Sequence, residues 1–280
     1  MRLFLRQFFA ELLKMFARKR TWIGFGAFLA MEALVLVISR TDKAKRSFHA
    51  FLENHGAMFD EYSGGLTLAF NMMAYTVMLL GAIFVALVAG DIVSKEVEDG
   101  TMRMTLSRPV SRLRVLGIKL MASLVYCSVL IVFIGMTALL TGLAWQGLGS
   151  LCAVIPGELL AFFPPREGLL RYFGGMLCYG MGFCTIVSLA FMFSCCNMKP
   201  ASATIVCLAT LFVDRVMISF PQFAPFKSWF MTSHMLTWQN AFHSPVPWTK
   251  MAVDYLYLFG LDATFIIIGC AVFLRRDLKS

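Results

Sequence analysis

Leu66–Gly90 reads LTLAFNMMAYTVMLLGAIFVALVAG. These 25 residues contain no Asp, Glu, Lys or Arg. A helix crosses roughly 30 Å of hydrocarbon in about 17–25 residues, rising about 1.5 Å per residue. Inside lipid each backbone N–H and C=O must be satisfied within the segment, so the run reads as a membrane-spanning helix. Five more runs meet the same length test, near 21–39, 115–143, 169–194, 201–220 and 252–274. The sequence therefore predicts an all-α integral membrane protein with six transmembrane helices, folded as a single transmembrane domain over 1–280.

Composition agrees. Of 280 residues, 59% are hydrophobic and 15% charged, and the mean hydropathy is +0.74. A soluble domain carries roughly 25% charged residues, which excludes a soluble globule or a disordered chain. The formal charge is +9. The basic residues lie between apolar runs, so the excess reads as membrane topology and lipid contact, with no nucleic-acid partner. Cys127, Cys178, Cys184, Cys207 and Cys270 lie in apolar runs, Cys195 and Cys196 end one, and Cys152 falls in a loop. Apolar cysteines are small buried hydrophobes rather than a disulfide framework. The methionines within spans read as packing.

Residues 1–20 form a separate element. Arg2, Arg6, Lys14 and Arg18 recur at multiples of four, while Phe4, Leu5, Phe8, Phe9, Leu12, Leu13 and Phe16 fill the rest. That is a basic amphipathic helix, expected to lie in the membrane interface. Its charges leave no apolar core of the kind a cleavable signal peptide needs. Six basic residues fall in 1–20, six in 91–119, one at Lys199 and three at the C-terminus. This bias predicts a bacterial inner (plasma) membrane protein with both termini cytoplasmic. The external segments are then about 40–65, 144–168 and 221–251. The last is rich in aromatics and broken by Pro221, Pro225, Pro245 and Pro247, which predicts short helices in the outer leaflet.

The charged turn after Gly90 carries the functional signal. Gly90–Leu120 reads GDIVSKEVEDGTMRMTLSRPVSRLRVLGIKL. Acidic Asp91, Glu96, Glu98 and Asp99 precede basic Arg103, Arg108, Arg112, Arg114 and Lys119. Gly100 suits a helix C-cap or sharp turn. Pro109 disfavours the α region at Arg108, so a short helix at 101–107 stops there. Ser111 can then cap the third span. On charge alone, such a loop is a solvated one.

The string E-x-E-x-G-T-M-R-x-x-L-S-R-P-V-S-R, residues 96–112, resembles the intracellular coupling region of ABC-2 type transporter permeases. Six spans, a basic N-terminal helix, an aromatic segment before the last span and F-L-R-R-D-L at 273–278 agree with that family. W-Q-N-A-F at 238–242 looks most like its multicopper-enzyme-maturation type permeases. The resemblance implies a permease subunit of an ABC transporter. Two such subunits, identical or paralogous, would pair with two ATPase subunits, with export as the expected direction. Glu96, Glu98, Gly100, Thr101 and Arg103 would lie at or beside the ATPase contact, and Arg108, Pro109 and Arg112 would fix the return into the third span. Asn197 and Lys199, in the turn between the fourth and fifth spans, would add a smaller contact. No G-x-x-x-x-G-K-[ST] phosphate loop occurs in the sequence. ATP and Mg would therefore belong to the partner ATPase, with no cofactor and no catalytic residue on this chain.

Glu32 lies within the first predicted span, Asp254 and Asp262 in the sixth, and Asp214 and Arg215 near the end of the fifth. Intramembrane ionisable groups are costly and are functional hypotheses by default. Structural pairing is the expectation for Glu32 and Asp262, while Asp214 and Arg215 are near enough to the surface to snorkel. His49, His55, His234 and His243 match no compact ligand spacing, so they read as scattered surface residues with no metal site. A secondary transporter using Glu32 and Asp262 is the alternative function. An intramembrane enzyme would need clustered catalytic side chains at membrane depth, which the spacing does not offer.

Overall fold

A computed structural model describes residues 2–54, 62–106, 110–155 and 159–275. Helix α1 spans Arg2–Phe16 and α2 spans Lys19–Arg40. The break between them is built by side chains. Arg18 is extended, and the Thr21 hydroxyl and Trp22 indole donate to the carbonyls of Met15 and Phe16 at 2.7 and 2.9 Å. Those carbonyls belong to the last turn of α1 and have no partner within the helix. Helix α1 is thus an element separate from the first span.

Helix α3 covers Asp42–Asn54, and the second span, α4, runs Gly65–Glu98 with a π turn at Val77–Gly81. The short α5 is Thr101–Leu106, and the third span, α6, is Arg112–Gln146. Strands β1, Leu151–Ile155, and β2, Leu159–Phe163, pair antiparallel with Ala153 opposite Ala161. The fourth and fifth spans are α7, Pro165–Cys195, and α8, Pro200–Ser219. Two 3-10 segments, Pro221–Trp229 and Leu236–Phe242, flank α9, Met231–Met235, before the last span, α10, Trp248–Arg275. Six of these helices are long and apolar enough to cross a membrane.

Two segments depart from the loops expected of them. At 40–65 the sequence makes α3, whose Leu52 is fully buried and whose start is capped by Thr41 accepting from the Ala44 N–H at 3.3 Å. At 144–168 it makes the β1–β2 hairpin, so among the described residues the fold is all-α apart from one two-stranded ribbon. The hairpin docks on α4 through Thr67, whose hydroxyl accepts from the Cys152 N–H at 2.8 Å and donates to the Ser150 carbonyl at 3.2 Å. Cys152 is buried in β1 rather than exposed in a loop.

The interior is formed chiefly by α4, α6 and α7, with α2, α8 and α10 outside. Close backbone approach sets one junction. A Cβ on Gly65 would collide with the Gly147 carbonyl and sit 2.5 Å from that of Gly142, and a Cβ on Gly142 of α6 would meet the Gly65 carbonyl, so both positions need glycine where α4 starts against α6. Gly81, Gly90, Gly175 and Gly182 also make helix contacts, whereas Gly174 opens onto free space. The outer helices present apolar side chains outward, among them Ile205, Phe212 and Val213 on α8. In water such faces would be an aggregation liability. They suit lipid or a second membrane subunit.

Candidate functional site

At the end of the bundle that carries α1, the turn between the second and third spans is fastened by buried charge. Glu96, in the last turn of α4, is 2% exposed. One of its oxygens accepts from Lys14 of α1, and the other lies 2.8 Å from the Lys119 ammonium of α6. Lys119, also 2% exposed, donates to Glu11 of α1 at 2.6 Å. Two carboxylates and two ammonium groups therefore balance at a point where three helices meet. Buried charges persist only when paired in this way. Burial pulls the Lys14 ammonium below its usual range, and the Glu11 carboxylate opposes that shift.

The turn itself hangs from this cluster. Asp99 ends α4, and Gly100 takes a left-handed backbone, φ +70°, which costs a side-chain-bearing residue about 1–2 kcal/mol. Its N–H donates to the Val97 carbonyl at 3.2 Å. Thr101 then opens α5, with its hydroxyl donating to the Glu96 carbonyl at 3.3 Å. Ser111 accepts from the Arg114 N–H at 3.3 Å, capping α6 as expected. Arg112 donates to the Leu274 carbonyl at 3.3 Å and so ties the start of α6 to the end of α10. A second bridge, Arg20 to the buried Asp91, joins α2 to α4. Ser194 of α7 accepts from the Val93 and Ser94 N–H groups at 3.0 Å each.

Two clefts flank the end of α4. One, about 430 Å3, lies between α1, α5 and α6 and includes Glu96, Thr101 and Met104 in its wall. The other, about 390 Å3, is walled by Arg20, Asp91, Lys95, Glu98, Lys199 and Thr204. The candidate residues thus sort into distinct places. Glu98, Asn197 and Lys199 are exposed, and Glu98 shares a cleft with Lys199. Glu96 is buried between Lys14 and Lys119 at the wall of the first cleft. Arg103 lies in α5. Arg108 and Pro109 lie outside the described residues. The sequence did not foretell the pairing of Glu96 with Lys119 and α1, because nothing local links positions 11, 14, 96 and 119.

The intramembrane candidates are separate from this cluster. Glu32, 3% exposed, accepts from the Thr137 hydroxyl of α6 at 2.9 Å. Asp262 is buried beside Thr185 and Ser188 of α7, and its Oδ1 has no hydrogen-bond partner among the described residues. Asp214 accepts from both the N–H and hydroxyl of Thr232 at 2.7 and 2.5 Å, capping α9. Arg215 is exposed on α8.

At the opposite end one histidine departs from expectation. His234 is buried, not a surface residue. Its Nδ1 lies 2.7 Å from Asp254 of α10 and its Nε2 2.8 Å from the Ser228 carbonyl. The acid 20 positions downstream gave no spacing signal. His49 pairs with Glu53 on the surface of α3, His243 is exposed, and His55 lies outside the described residues. Among the described residues no three His, Cys, Asp or Glu side chains converge as a metal-ligand group.

A family model described as a protein of unknown function (DUF2705) matches residues 27–279. No curated protein matches the chain.

Proposed function

The chain belongs to the DUF2705 family, and on the strength of its own residues we propose that it is the permease subunit of an ATP-driven ABC transporter, exporting its substrate. The observation that carries this reading is α5, a short helix between the second and third spans whose root is fixed by buried charge to α1, α4 and α6. A load applied to α5 is passed to two spans and the N-terminal helix together, because the linking groups are paired and, at Glu96 and Lys119, buried. A helix in a solvated loop would lack that fastening. The resemblance of residues 96–112 to ABC-2 coupling regions supplies the identity of the load: closure of two ATPase subunits on binding ATP. Glu98, Asn197 and Lys199 are the exposed side chains for that contact, with Gly100, Thr101 and Arg112 holding the geometry around them. A second copy or a paralogue of this chain would complete the path against the outward apolar faces.

The test is purification of the tagged chain from its native membranes in mild detergent. A stoichiometric phosphate-loop ATPase with vanadate-sensitive hydrolysis is the expected result. A chain that purifies alone and inert, under conditions that preserve other complexes, would overturn the reading. One observation favours a second reading, an ion-coupled transporter: the buried carboxylate oxygen of Asp262 on the last span, which has no partner among the described residues. Transport driven by an ion gradient without ATP would select it.

A further inference from the structure

We infer that the cleft at the end of the bundle opposite α1, between the two 3-10 segments and the start of α10, binds the acidic headgroup of an amphiphile lying in the adjoining leaflet. The cleft measures about 540 Å3, and its walls include Lys227, His234, Thr237, Asn240, Lys250 and Asp254. This inference does not rest on the transport reading.

The charge balance of the walls decides the sign of the ligand. Among the described residues lining the cleft, Asp254 is the one carboxylate. Both its oxygens are engaged, Oδ1 by His234 and Oδ2 by the Thr237 hydroxyl, each at 2.7 Å. Lys227 and Lys250 stand exposed on the rim, so the field at the mouth is positive. The floor is firmly held. The His234 ring stacks on Tyr257 with centroids 4.2 Å apart, and the Tyr257 hydroxyl donates to the Trp229 carbonyl at 2.9 Å. Asn240, itself buried, donates to Thr237 at 2.9 Å. The cleft is therefore a built polar depression and not a gap between loose side chains.

Its depth in the membrane decides the kind of ligand. Trp229, 76% exposed, and Trp248, 72% exposed, lie beside Ser228 and near Lys250 in sequence. Tryptophan is enriched at headgroup level, where an apolar ring and a polar N–H are both accommodated. Two outward indoles, each two residues from one of the lysines, thus set the mouth at headgroup height. An acidic headgroup can meet the ammonium groups there while its acyl chains remain in the hydrocarbon.

The experiment uses the full chain in detergent, equilibrated with mixed micelles of phosphatidylglycerol and phosphatidylcholine, with retained lipid measured by mass spectrometry. A lysine facing anionic lipid contributes affinity equivalent to about 5-fold, so Lys227→Gln with Lys250→Gln should weaken phosphatidylglycerol retention roughly 30-fold. Lys43→Gln with Lys45→Gln, on α3 outside the cleft, should change it less than about 2-fold. Retention unchanged in the cleft variant, or lost equally in the α3 variant, would overturn the inference in favour of a nonspecific lipid annulus. Soluble glycerol phosphate should fail to displace the lipid at equal concentration. Displacement would show that the site takes a free phosphate ester and would overturn the amphiphile.

Discussion

Replacing Lys119 by Met tests the buried cluster at its driest point. Lys119 and Glu96 are 2% and 3% exposed at their side chains and Glu11 17%, whereas Lys14 is 46% exposed. Loss of Lys119 leaves one excess negative charge shared by two largely buried carboxylates. Removing one partner of a buried pair costs about 3–5 kcal/mol, mostly the penalty of the stranded charge. Lys14, by contrast, can still be reached by water, and its replacement by Gln should cost about 1 kcal/mol or less. Glu96→Gln alone strands positive charge instead. The double variant Lys119→Met with Glu96→Gln is neutral again, with Glu11 and Lys14 left to pair. Its cost should therefore fall short of the sum of the single costs by about 1–3 kcal/mol. The assay is reversible denaturant unfolding in mixed micelles, followed by circular dichroism, on the four members of the cycle. Additivity within about 0.5 kcal/mol would refute the reasoning, because it would mean that the two groups do not share one electrostatic site.

Three further outcomes follow from the same geometry. Gly100→Ala should cost about 1–2 kcal/mol from the left-handed backbone alone, since an added methyl would meet nothing within 4 Å, and Gly100→Asn should cost less; equal losses in unfolding experiments would point to a steric cause. Glu98→Arg should weaken recovery of the ATPase partner in the pull-down about tenfold, as reversal of a charge at a contact rim does, without changing the unfolding free energy, because Glu98 is exposed. Glu32→Gln should leave transport intact and cost about 1 kcal/mol, since an amide oxygen can still accept from Thr137; a stable but transport-dead variant would place Glu32 on the translocation path.

The spans were legible because one physical requirement, satisfying the backbone in hydrocarbon, leaves a long apolar run with little freedom. The short α5 was legible for a similarly local reason: Gly100 and Pro109 bracket it. The cap at Ser111 was legible too. The β1–β2 hairpin was not, although Leu151–Ile155 and Leu159–Phe163 flank a Pro156–Gly157 pair that could have signalled it. Five-residue apolar runs suit a strand or a helix fragment equally, and in a membrane chain the helical reading wins by default. Residues 42–54 read as loop because their charges obscure the buried Leu52. The candidate site divided along the same line. Gly100 and Ser111 announce themselves by local backbone demands. The burial of Glu96, the capping of α9 by Asp214 and the seating of His234 on Asp254 depend on partners 18 to 82 positions away. Periodicity carries no record of such pairs.

The central claim, that α5 is the contact through which an ATPase drives the spans, is tested most directly by a photo-crosslinking side chain at Met104. This residue is 67% exposed on α5 and borders the cleft beside Glu96. Irradiation in native membranes should give an adduct with a phosphate-loop ATPase, and trapping with vanadate should change its yield. Adducts with lipid alone, from a chain still folded and inserted, would contradict the account.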